Sequence, residues 1–100
     1  MRYKAKEKIK KGQLVSIPAD LYVQNGTILM NLGEPQMALE EFDRALTLDI
    51  SDEARAAALN NKGLILLNRG EKSVAANLFQ DALKIKPDLK EVMNNLELCK

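Results

Sequence analysis

Among the hundred residues there is no histidine, and Cys99 is the only cysteine. A disulfide framework, a zinc site and a Cys/His nucleophile pair each need partners that one such chain lacks. Glu40, Glu41 and Asp43 lie close in sequence, but neighbours on a helix diverge. Glu40 and Arg44 have the i,i+4 spacing of a surface ion pair rather than of an acid/base couple. Gly26 and Gly63 sit in no GxGxxG or Walker sequence, so no phosphate cradle is predicted. No catalysis, cofactor or metal is expected. The polar side chains that do recur are amides, including the pairs Asn60-Asn61 and Asn94-Asn95. An amide both donates and accepts, which suits it to another polypeptide's backbone, and inside a helix it is unfavourable without such a use.

The elements that position these amides come from an internal repeat. Gly26, Gly33, Ala38, Phe42, Ala45 and Leu46 recur 37 residues later as Gly63, Gly70, Ala75, Phe79, Ala82 and Leu83. Each unit reads as two helices. Leu21, Tyr22, Ile28, Leu29 and Leu32 fall at helical intervals and stop at Gly33, and Pro35 stands where a helix begins without needing its amide proton. Met37, Ala38, Phe42, Ala45, Leu46 and Leu48 form the apolar stripe of the partner helix. In the second unit Ser51 or Asp52 caps a helix running to about Asn68, and Val74, Ala75, Leu78, Phe79, Ala82, Leu83 and Ile85 form the next stripe. A fifth helix is expected from Asp88, with Asp88 and Glu91 as a capping box.

Tyr22-x-x-Asn25-Gly26-x-x-Leu29 and Leu59-x-x-Lys62-Gly63-x-x-Leu66, each followed by Ala-x-x-x-Phe-x-x-Ala-Leu, resemble tetratricopeptide repeats. The resemblance covers residues 19 to about 98. It predicts an all-α helix-turn-helix solenoid with repeat one over 19–52, repeat two over 53–87 and a capping helix over 88–99, preceded by a basic arm over 1–18 that the resemblance does not cover. Three features depart from the family pattern. Asn25 and Lys62 replace the usual Leu, Ile50 stands where the second repeat has Pro87, and the period exceeds the usual length of about 34. The extra residues are expected at Ser51 to Ala57, as a longer turn or an added helical turn.

The resemblance also implies where a partner binds. The first helix of each repeat would line a concave groove, presenting Asp20, Val23, Gln24, Thr27 and Asn31, then Asn60, Asn61, Leu64 and Asn68, then Glu91, Asn94, Asn95 and Leu98. Gln24, Asn61 and Asn95 take equivalent places in the three units, with Leu64 and Leu98 as apolar contacts. Family members that clamp a terminal carboxylate need Lys and Asn where this chain has Val23 and Thr27, and Lys and Arg where it has Glu91 and Asn95. That activity is expected to be absent.

Net charge is +1, but its distribution is uneven. Residues 1–18 carry Arg2, Lys4, Lys6, Lys8, Lys10 and Lys11 against Glu7, whereas residues 19–52 carry Arg44 against seven acids. The near-neutral total and the shortage of aromatics argue against nucleic acid, and no apolar run approaches the roughly 20 residues of a membrane span. A cytoplasmic protein-protein interaction module, binding a peptide or helical segment of a partner, is the leading expectation. The alternative is a self-assembling scaffold, with Leu14, Val15 and Ile17 covering the first repeat and the lysines reaching its acids, in the same chain or a neighbour.

Overall fold

A computed structural model describes residues 18–100. Over them run five helices: α1 (Asp20–Asn31), α2 (Pro35–Leu46), α3 (Asp52–Asn68), α4 (Lys72–Ile85) and α5 (Lys90–Glu97). No described residue is in a strand. The pairs α1/α2 and α3/α4 are hairpins, α2 and α1 both touch α3, and α5 packs on α4.

The hairpin turns follow from two glycines. Gly33 and Gly70 have φ of 83° and 84°, in the left-handed region that other residues enter at a cost. Each turn closes with the same pair of bonds: Gly33 N–H to Met30 O and Glu34 N–H to Leu29 O, then Gly70 N–H to Leu67 O and Glu71 N–H to Leu66 O. This satisfies carbonyls that the helix end would otherwise leave open. Inside each hairpin a phenylalanine lies against a glycine. A methyl group at Gly26 would stand 2.5 Å from Phe42 Cε1, and one at Gly63 2.6 Å from Phe79 Cε1. Phe42, Phe79, Ala38, Ala45, Ala75 and Ala82 are fully buried, so small residues seat each ring in a close helix approach.

The residues beyond the usual period add a helical turn. Helix α3 has 17 residues where α1 has 12. Ser51 begins it: its hydroxyl accepts from Ala54 N–H at 3.1 Å and donates to Asp20 Oδ2 at 2.9 Å, tying the starts of α3 and α1 together. Arg55, in the added turn, donates to the carbonyls of Leu46 and Leu48 at the end of α2. Ile50 turns inward and packs on the core.

Several sequence expectations need correction. Leu21, Ile28 and Leu32, spaced as apolar positions of α1, are exposed, Ile28 by 55% and Leu32 by 71%. The reason lies in the repeat. The residues 37 positions after Leu21, Asn25, Ile28 and Leu32 are Ala58, Lys62, Ile65 and Arg69. On that face of α3 Ala58 and Ile65 are buried, Lys62 bonds Asp43 and Arg69 bonds Gln36, both on α2. Among the described residues no helix precedes α1 to cover the matching face. The expected cover by Leu14, Val15 and Ile17 lies outside the described residues. Arg44 pairs with Glu41 at 2.8 Å rather than with Glu40, its guanidinium standing 5.6 Å from the Tyr22 ring centroid. Asp88 does not cap α5. Leu89 takes the N-cap position without a side-chain bond, its carbonyl accepts from Val92 and Met93, and its side chain packs on the core.

Candidate interaction groove

Two clefts open on the face formed by α1, α3 and α5. One, of about 500 Å³, is lined by Asp20, Val23, Gln24, Thr27, Ile28, Ser51, Glu53, Ala54 and Ala57. The other, of about 400 Å³, is lined by Thr27, Glu53, Ala56, Ala57, Asn60, Asn61, Lys86, Leu89, Glu91 and Val92. Thr27, Glu53 and Ala57 belong to both, so the clefts adjoin there, and together, as two arms of one channel, they reach from α1 to α5. Its floor is wide because α3 presents alanines there, and Ala54, Ala56 and Ala57 leave room that larger side chains would fill.

Of the ten residues expected at the site, this channel collects Gln24, Thr27, Asn60 and Asn61. Leu64 and Asn68 line a separate cleft of about 270 Å³ with Met30, Gly33, Pro35, Ile65 and Arg69. Asn31, Asn94 and Leu98 are exposed and line neither arm of the channel. Asn95 is buried and donates from Nδ2 to Asn60 Oδ1 at 2.9 Å. The expectation of an open amide row through Asn60 and Asn95 is therefore corrected: these two join α3 to α5 inside the packing. Asn61 does similar work between α3 and α1, donating to Thr27 Oγ1 at 3.1 Å while the Thr27 hydroxyl donates to Val23 O at 3.0 Å.

Each of the two groove asparagines is occupied at one end only. Asn60 Nδ2 and Asn61 Oδ1 make no hydrogen bond among the described residues, and no side-chain polar atom there is sealed away unpaired. Asn60 is 6% exposed and lines the channel, so its free amide nitrogen has that opening as its outlet. Asn60 thus keeps a donor and Asn61 an acceptor, on two residues that both line the channel.

Sequence reasoning missed Ser51, Glu53, Ala54, Ala57, Lys86 and Leu89. The excess period was the available signal for the first four, because the added turn of α3 carries them into the channel. Glu53 sits in the first turn of α3 with Lys86 Nζ at 3.5 Å. A hydrogen bond to the backbone and then Lys86 hold its carboxyl below the ordinary carboxylate range. No described helix is long and apolar enough to cross a membrane.

The tetratricopeptide repeat profile matches residues 18–88. Over 80 residues, which are 80% of this chain and 46% of the relative, the chain is 31% identical to the photosystem I assembly protein Ycf3 of Synechococcus sp. (strain CC9902). It is 29% identical over the same shares to Ycf3 of Synechococcus sp. (strain CC9605), and 28% identical to that of Prochlorococcus marinus (strain NATL1A) over 95% of this chain and 59% of the relative. The chain thus spans about half the length of the curated relatives it matches. No solved structure is significantly similar. Two glycine-seated hairpins in one register, under a profile that covers most of the sequence, show that the chain belongs to the tetratricopeptide repeat family of protein-protein interaction modules.

Proposed function

We propose that the chain is a non-catalytic interaction module that holds an extended segment of a partner protein in the channel across α1, α3 and α5. The observation that carries this reading is the meeting of the two clefts at Thr27, Glu53 and Ala57. The open ends of Asn60 and Asn61 supply a donor and an acceptor for the segment's backbone, and Gln24 extends the polar wall toward α1. Leu64 and Asn68 come into play only for a segment that continues to the separate cleft. The likeness to proteins named for photosystem I assembly supports a role in holding a protein segment while a multisubunit complex is built. The test is selection from a displayed random peptide library on the full chain and on Ala57→Trp, whose indole would fill the shared part of the channel. Peptides enriched by the first and lost with the second, at unchanged helical circular dichroism, are expected. Equal enrichment on both would reject the channel.

A second reading is favoured by one observation, the exposed line Leu21, Ile28 and Leu32 along α1. Self-association through this face gives a mass that rises with concentration. A constant monomer mass across a wide concentration and salt range removes that reading.

A further inference from the structure

The channel has a charge character that the amide row does not express. The first turns of α1, α3 and α5 all border it, and each turn carries an acid: Asp20, Glu53 and Glu91. Helix N-termini carry partial positive charge and, left bare, would draw anions to this face. Here carboxylates stand in all three first turns and reverse the sign. Lys86 is the single basic residue among those lining either arm, and Glu53 already holds it. Asp20 is fixed through both oxygens by Ser51. Glu91 is exposed and makes no ion pair among the described residues, so its charge is available to a ligand.

Acids in first turns also stabilise their own helices, and that alone would explain them on any surface. What goes further is their place around a channel with an apolar floor and a nine-tenths-buried amide, Asn60, whose nitrogen is left without a partner. An anionic or strongly acidic segment would meet three carboxylates there. A segment with small or aliphatic side chains on one edge and lysine or arginine on the other meets a complementary surface on each.

Resting on the channel reading above, we propose that this channel selects basic segments of partner proteins, taking apolar side chains over Ala54 and Ala57 and cationic ones against Glu53 and Glu91. The probes are three labelled synthetic peptides that share alternate alanine and leucine positions and carry lysine, glutamine or glutamate between them. They are titrated by fluorescence anisotropy against the full chain. The lysine peptide is expected to bind at least about tenfold more tightly than the glutamine peptide, and the glutamate peptide not to bind. Glu53→Gln/Glu91→Gln should weaken the lysine peptide by about tenfold, whereas Glu40→Gln/Asp81→Gln, which removes the same charge from α2 and α4, should leave it unchanged. Should the first pair lose helical content, Glu91→Gln alone carries the test, with a few-fold loss expected.

Equal binding of the lysine and glutamine peptides, both abolished by Ala57→Trp, would overturn charge selection and leave the channel standing. Equal weakening by the two glutamine pairs would also overturn it, since the effect would then be one of total charge. Binding of no peptide, or binding untouched by Ala57→Trp, would overturn the channel and the selection together.

Discussion

Replacing Gly26 by alanine tests the packing on which both hairpins depend. The added methyl carbon would lie 2.5, 2.7 and 2.9 Å from Phe42 Cε1, Cδ1 and Cζ, all shorter than a carbon pair tolerates. The ring cannot retreat easily, because Phe42, Ala38 and Ala45 are fully buried around it. Overpacking of this kind costs about 1–3 kcal/mol. Alanine in mid-helix returns about 0.5–1 kcal/mol of backbone preference. The clash involves three ring atoms, so we take its upper range and expect Gly26→Ala to lose about 1–2 kcal/mol net. Gly63→Ala should lose less, since only one Phe79 atom comes closer than 3.0 Å. The assay is urea unfolding followed by circular dichroism, with the midpoint falling at constant slope. Phe42→Leu in the Gly26→Ala background should cost much less than in the native one, a coupling of about 1–2 kcal/mol. A rise in midpoint for Gly26→Ala, or strict additivity of the pair, would refute the reasoning, because either would mean that the ring yields freely.

Three further outcomes follow from the same geometry. Asn95→Ala strands the buried Asn60 carbonyl oxygen and should cost about 1–3 kcal/mol in urea unfolding, whereas Asn94→Ala, on an exposed position, should change stability little. Ser51→Ala removes the α3 cap together with the Asp20 bond and should cost about 1 kcal/mol, seen as a lower thermal midpoint, while Ser51→Asp should lower it further because a carboxylate there would face Asp20. Glu53 should titrate below the ordinary glutamate range by carbon-detected NMR. Its depressed folded pKa makes a stabilising contribution that is complete above the unfolded value and fades as pH falls through the folded one. Lys86→Ala should move that midpoint up only part of the way, because the backbone hydrogen bond, the larger cause, remains; a midpoint unmoved by Lys86→Ala would show that the 3.5 Å contact does not persist in solution.

Legibility in the sequence differed sharply between residues that pack within a repeat and those that face the next unit. Gly26 with Phe42 and Gly63 with Phe79 could be paired from spacing, since a helix hairpin with a short turn allows few partners for each position. The same holds for Gly33 and Gly70 as hairpin ends. Leu21, Ile28 and Leu32 were legible as apolar positions of the first helix, but periodicity shows that a face is apolar without showing whether anything covers it. Asn60, Asn61 and Asn95 were visible as unusual helix residues, but their spacing is compatible with an exposed row and with a bond between neighbouring helices.

What the sequence determined by itself is the family, the two hairpins and the site of the extra turn. Those features are written in local spacing, turn glycines and small-against-large pairs thirty-seven residues apart, all of which act within one repeat. What only the tertiary structure decided is how α1, α3 and α5 meet. Whether an amide bonds a neighbour or faces the channel depends on the rotation of one helix against another, and that rotation is set by the summed packing of the core. So Asn95 turns inward to Asn60, Asn61 turns to Thr27, and Glu53, three positions before Ala56 on the added turn, comes to stand beside Lys86 from the far end of α4.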